Sequence, residues 1–271
     1  MLIGKARPLR SAICTADETS IAVRGRDLCG DLMGGLSFTE FFLLHLTGKA
    51  PTADQAFFLD AMLVGLAEHG VTPSVQAARM TLAAAPESLQ GAVAAGIAGA
   101  GSVVLGAAEE AGRLLVRGVA EAGEEADAFE TAARRIAEEI RAARRPIPGF
   151  GHPLHRPDDP RATRLLALAH ERGAAGGHTR FLEVLAPVVN EVWQRNLPVN
   201  INGAIASIML DLDFPMEALR GVPILARTAG LLGHLYEESQ RPMGFLLAHH
   251  AEAAVEYDGE PPPPDKMAGR E

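Results

Sequence analysis

Cysteine, aromatic side chains and long runs of one charge or of apolar residues are all scarce in this 271-residue chain. Each shortage excludes something. Two cysteines, Cys14 and Cys29, fit neither a disulfide framework nor a thiolate metal site, so they read as reduced thiols of a cytoplasmic protein. With 25 Lys+Arg against 34 Asp+Glu, 5% aromatics and no long basic run, nucleic acid is not an expected partner. No stretch reaches eighteen uninterrupted apolar residues, and Lys5, Arg7 and Arg10 have no apolar run behind them, so neither a membrane span nor an export signal is expected. Alternating strand-like segments are nearly missing, which leaves at most a short hairpin around Ala12 to Val23.

What remains is a helical, all-α pattern, 48% hydrophobic and long enough to bury a large core. Ser37 with Glu40, and Thr52 with Gln55, have capping-box spacing, and Gly48 follows the first helix as a stop. Helices are predicted near 38–47, 53–68, 74–85, 88–100, 103–119, 125–144, 160–172, 179–195, 201–211, 215–220, 222–238 and 242–255. The segment from Ala92 to Gly101 is coated with very small side chains that admit a close neighbour, either within the chain or on a second copy. From Asp258 to Glu271 a tetraproline lies among charges, which predicts a disordered or extended tail after a folded domain of residues 1–257.

The chemistry concentrates in the loop from Ile147 to Arg161. Prolines at 148, 153, 157 and 160 forbid helix interior, and Gly149 and Gly151 permit unusual backbone angles beside Phe150. A histidine held there, His152, can donate or accept a proton near neutral pH, and Arg161 offers a planar fork to a carboxylate. A plain Pro/Gly-rich connection with solvent-facing histidines is the alternative.

Ile147-Pro-Gly-Phe-Gly-His152 with Asp159-Pro-Arg161 resembles the signature loop of the citrate synthase superfamily. Val23-Arg-Gly-Arg-Asp-Leu28, Ser37-Phe-Thr-Glu40 and Leu46-Thr-Gly-Lys-Ala-Pro-Thr52 resemble its opening elements. Glu68-His69 through Arg79 resembles its substrate-histidine segment, and Ile224-Leu-Ala-Arg-Thr-Ala-Gly230 with His234 its late arginine helix. The resemblance covers roughly residues 20 to 245. It implies a helical fold with a large lobe and a small closing lobe at about 157–222, assembled as a homodimer.

By that resemblance His152 exchanges a proton with the oxygen on the reacting carbon, while His69, Arg161 and Arg227 hold a polycarboxylate. Arg227 as a salt-bridge partner and His69 as a helix end are the structural alternatives. A CoA thioester, bound as substrate and not as a permanent cofactor, is expected over Arg144, Arg145, Ile147, Pro148 and Gly149, although the arginine pair also suits a helix C-terminus. No metal is required, because arginines and histidine carry the charge.

Two departures from the synthases stand out. Val104 occupies the position of a histidine that stabilises the acetyl-CoA enol, a loss that citryl-CoA lyases also resemble. In Val199-Asn-Ile-Asn202-Gly203, Asn202 stands where the family has the aspartate that removes the methyl proton, and an amide is no base. The expected activity is therefore citryl-CoA lyase-type cleavage to acetyl-CoA and oxaloacetate or an analogue. A citrate or 2-methylcitrate synthase-type acyltransferase and a non-catalytic CoA- or carboxylate-binding relative are the alternatives.

Overall fold

The computed structural model describes residues 9–123 and 128–260. It opens with a small antiparallel sheet in the order β1 (Cys14–Ala16), β2 (Ile21–Val23), β3 (Arg26–Asp27), one strand more than the expected hairpin. Thereafter the described residues are helical: α1 (Phe38–Thr47), α2 (Ala53–Ala67), α3 (Pro73–Ala84), α4 (Leu89–Leu105), α5 (Ala107–Ala122), α6 (Ala128–Ala142), α7 (Pro160–Glu171), α8 (Gly177–Trp193), α9 (Ile201–Asp211), α10 (Gly221–Gln240) and α11 (Gly244–Ala253). The expected helix at 215–220 is only a 3-10 turn, Met216–Ala218. The predicted tail beyond residue 260 and the start of the helix expected at 125 lie outside the described residues.

Local signals act where the sequence places them. Ser37 and Thr52 each complete a capping box, and Gly48 ends α1 in the left-handed region at φ 74°. Residues Leu89–Ala122 are apolar and long enough to cross a membrane by length and composition alone. The backbone leaves the helix at Gly101 (φ 58°, ψ −170°), and α5 carries Glu109, Glu110, Arg113 and Arg117, so the run is divided.

Two compact units divide the chain. The first takes in the described residues to Glu68 together with Gly101–Arg227, and the second His69–Ala100 with the described residues from Thr228 onward. Residues 157–222, expected as a small closing lobe, fall inside the first unit, in which α7 and α9 pack with each other and α9 with α5. Its core joins Phe58, Met62, Leu115, Ile136, Phe181, Leu185, Ile205 and Ile208, each essentially inaccessible to solvent. At Gly118 an added Cβ would meet the Phe181 ring at 2.1 Å, so α5 and α8 approach closely only because that side chain is missing.

The second unit has its own core of Val75, Ala78, Leu82, Ala92, Leu231 and Leu235. A Cβ on Gly96 would meet Leu231 at 2.7 Å and Ala78 at 3.0 Å, so this side of the small-residue segment serves a contact within the chain. Ala94, Ala98 and Gly99 on α4 are exposed.

Candidate functional site

Two loops of the first unit clasp each other and fix the site. Phe150 bridges to Val199, Gly151 N donates to the Pro198 carbonyl (2.7 Å), and Asn200 N donates to the Gly149 carbonyl (2.9 Å). The Asn200 side chain donates to the Gly151 carbonyl at 3.0 Å, and its oxygen accepts from the amides of Asn202 and Gly203 at the start of α9. Gly149 (φ 85°) and Gly203 nearly touch: a Cβ on Gly203 would lie 2.7 Å from the Gly149 oxygen. A side chain at either position would force the loops apart.

Asp159 is the hidden organiser. Fully buried, it caps α7 by accepting from Arg161 N (3.1 Å) and accepts from Ile201 N at the head of α9 (3.1 Å). It also holds the Arg161 guanidinium through Nε (3.0 Å) and Nη2 (2.9 Å). Burial works to raise its pKa, yet the hydrogen bonds and charge of Arg161 with the two backbone amides hold it below the usual aspartate value. Its carboxylate thus ties both helix starts and aims one arginine.

His152 sits in the same loop with its ring stacked on His155 at 4.2 Å. Its Nδ1 accepts from the amides of Leu154 and His155, both at 3.1 Å, so the neutral ring carries its proton on Nε2. Nε2 in turn lies 3.4 Å from Arg161 Nη2. Both nitrogens are donors, so they do not bond each other, and one acceptor oxygen between them would serve both. In this loop conformation the nitrogen with the open lone pair is the one facing the backbone.

Arg227 is half-buried on α10. Burial pushes its guanidinium below the usual arginine range, the Glu68 charge opposes that shift, and the Arg161 charge adds to it. Its Nη1 is buried with no hydrogen-bond partner. Two cations close enough to repel, one with an idle buried donor, make a place suited to a carboxylate. His69 is half-buried at the opening of the second unit, and Val104 is exposed on the last turn of α4. Asn202, half-buried, is the second residue of α9.

Beside His152 lies a cavity of about 900 Å³. Five arginines line it, Arg141, Arg144, Arg145, Arg156 and Arg195, with Trp193 and no carboxylate. Among the described residues none of the five closes an ion pair, whereas Arg79, Arg113, Arg117, Arg134, Arg161 and Arg220 all do. In a chain of net charge −9 that is a local concentration of positive charge. A groove of similar size between α6 and α8, about 990 Å³, differs in this respect, since its Arg134 is already bidentate to Glu191.

Of the expected CoA contacts, Arg144, Arg145 and Ile147 line the basic cavity. Arg145 and Pro148 border a smaller slot floored by Leu114, Ile136 and Ile140. Gly149 lines neither and is buried against Gly203. Sequence reasoning missed Arg141, Arg156, Trp193 and Arg195. The three arginines give no signal beyond a basic residue in an acidic chain, Trp193 gives none, and it takes the fold to bring the segments 141–147, 150–156 and 193–197 together.

The family model for the citrate synthase C-terminal domain matches residues 12–244, and the chain belongs to that family. The structure of citryl-CoA lyase from Hydrogenobacter thermophilus is 33% identical with a TM-score of 0.83, covering 96% of this chain and 99% of that one. ATP citrate lyase from Methanothrix soehngenii, solved in complex with citrate and coenzyme A, shares the fold at 20% identity and a TM-score of 0.78, over 99% of this chain and 44% of that one. The citrate synthase of Synechocystis is 32% identical over 226 residues, 79% of this chain and 54% of its own. The chain spans about half the length of the curated relatives it matches.

Proposed function

We propose that the protein cleaves a citryl-CoA-like thioester into acetyl-CoA and oxaloacetate or a related 2-oxo acid. The observation that carries this is the set of unpaired arginines leading to His152, with Arg161 and Arg227 placed for carboxylates. A CoA thioester supplies phosphates for the first and a polycarboxylate for the second.

Cleavage is a retro-aldol step. The tertiary hydroxyl gives up its proton, the carbon-carbon bond breaks with its electron pair moving into the thioester, and the hydroxyl carbon becomes a carbonyl. The resulting enolate then takes a proton from water to give the acetyl methyl. His152 meets the reacting oxygen with Nε2–H. To take the hydroxyl proton it must move its own proton to Nδ1, which the amides of Leu154 and His155 oppose, so the turn at 152–155 has to open during the cycle. Asn202, near the positive end of α9, donates to the enolate oxygen. Condensation in the other direction needs a base for the methyl proton, and an amide cannot serve.

The expected assembly is a homodimer in the cytoplasm. Leu232, Tyr236, Phe245 and Leu246 of the second unit are exposed, an apolar set suited to a second copy. Both cysteines are free thiols, as a reducing compartment requires. The amide at 202 favours one second reading, binding of the same ligands without turnover.

Asn202 variants test the proposal. Asn202→Ala is expected to slow citryl-CoA cleavage by about 10²- to 10³-fold with little change in binding, as for removal of one oxyanion donor. Asn202→Asp is expected to gain exchange of acetyl-CoA methyl protons with deuterated solvent, followed by NMR. Wild-type protein that exchanges those protons rapidly, with no loss in Asn202→Ala, would place the reacting groups elsewhere.

A further inference from the structure

Three aromatic rings border the basic cavity: Phe150, which is buried, the His152 imidazole, and Trp193, which is half-buried and the only tryptophan of the chain. Trp193 is the last residue of α8, half-buried, with one side packed on the main core. The Arg141 guanidinium lies 5.8 Å from its ring centroid. Gln194 then turns the backbone into the left-handed region (φ 52°), closing α8 through its amide on the carbonyls of Asn190 and Glu191. That abrupt cap keeps Trp193 on the cavity wall and brings Arg195, two residues on, to the same wall. Leu197 N donates to the Asn190 side chain at 2.7 Å and Asn196 donates to the Pro157 carbonyl at 3.2 Å, so the segment after the cap is fixed as well.

A rigid indole among five cations, none of them in an ion pair among the described residues, matches a ligand with a flat π-system next to several phosphates. An inorganic polyanion uses the arginines and ignores the ring, and an acyl chain uses the ring and ignores the arginines. We infer that Trp193 is the stacking platform for the purine of the thioester's adenosine 3′,5′-bisphosphate moiety, with Arg195 and Arg156 beside it for the phosphates. This rests on the proposed CoA-thioester function and adds the residue that distinguishes the nucleotide from its phosphates. Arg141 holds the indole from one side as a cation on its π-face.

The lone tryptophan reports on its own contact. Adenosine 3′,5′-bisphosphate, which carries the purine and phosphates without the thioester, is expected to quench the intrinsic tryptophan fluorescence of the full-length protein saturably, with acetyl-CoA doing the same. By calorimetry Trp193→Ala is expected to weaken both ligands by about tenfold to a hundredfold. Trp193→Phe should restore most of that loss, and 4′-phosphopantetheine should bind wild type and Trp193→Ala alike. Unchanged fluorescence at saturation, or Trp193→Ala binding the bisphosphate as tightly as wild type, overturns the platform while leaving CoA-thioester binding intact. Wild-type protein that binds neither acetyl-CoA nor the bisphosphate overturns both. Because quenching is read in the wild type, a Trp193→Ala chain that fails to fold still leaves the inference decided.

Discussion

Replacing Glu238 by alanine is expected to lower unfolding free energy by about 3–5 kcal/mol, the cost of leaving a buried charge without its partner. Arg79 is 1% exposed and Glu238 3%. The guanidinium donates from Nη1 to Glu238 Oε2 at 3.0 Å, and from Nη2 to Glu237 and to His234 Nδ1. The second Glu238 oxygen accepts from the amides of Met243 (2.9 Å) and Gly244 (2.8 Å), which open α11. Gly244 in turn lies so close to α3 that a Cβ there would meet the Arg79 oxygen at 2.7 Å. One carboxylate therefore ties α3, α10 and α11, and its loss strands two amides and leaves the buried cation with Glu237 as its counter-charge. Glu237 is 39% exposed, so water screens its share. The paired replacement Arg79→Met with Glu238→Leu removes both charges and should lose less than Glu238→Ala alone. Urea titrations of the three proteins check this, and a Glu238→Ala chain within about 1 kcal/mol of wild type contradicts it.

His152→Ala is expected to lower citryl-CoA cleavage by about 10²- to 10⁴-fold, the range for loss of a positioned proton-transfer group. Its Nε2 and Arg161 Nη2, 3.4 Å apart, are the convergent donors of the site, and the alanine leaves only the guanidinium. Folding should be little affected, since Asp159 and Asn200 hold the loops without the imidazole. Binding of CoA should persist because the five arginines are untouched. His152→Gln keeps a donor and cannot relay a proton, so it separates the two roles: recovery of most activity would reduce His152 to a hydrogen-bond donor. Single-turnover cleavage with a parallel melting curve makes the measurement, and an alanine variant within tenfold of wild type would remove His152 from the chemistry.

Features set by neighbours in sequence were legible without the fold. The capping boxes at Ser37 and Thr52 need only residues three apart, and the Pro-Gly loop announces itself by composition. Helix ends moved by a few residues at most for α3, α8 and α11, where no such signal sits. Features made by residues far apart were not legible. Asp159 enters the sequence only as part of the Asp159-Pro-Arg161 run, yet burial beside Ile201 makes it the tie between α7 and α9. The tautomer of His152 depends on two amides that no side-chain pattern encodes. The lobe expected at 157–222 followed the resemblance alone, and the packing of α8 on α5 and α6, of α9 on α5 and of α7 on α9 joins residues too far apart in sequence to be read from it. Trp193 and Arg195 reach the basic cavity only because Gln194 turns left-handed.

Full-length wild-type protein incubated with citryl-CoA in deuterated buffer, with all thioesters and acids followed by mass spectrometry, tests the proposed reaction most directly. Carbon-carbon cleavage predicts acetyl-CoA and oxaloacetate in equal amounts, one solvent deuterium in the acetyl methyl, and no free CoA above the uncatalysed level. Release of free CoA with citrate, or saturable binding of citryl-CoA that leaves it intact, would contradict it.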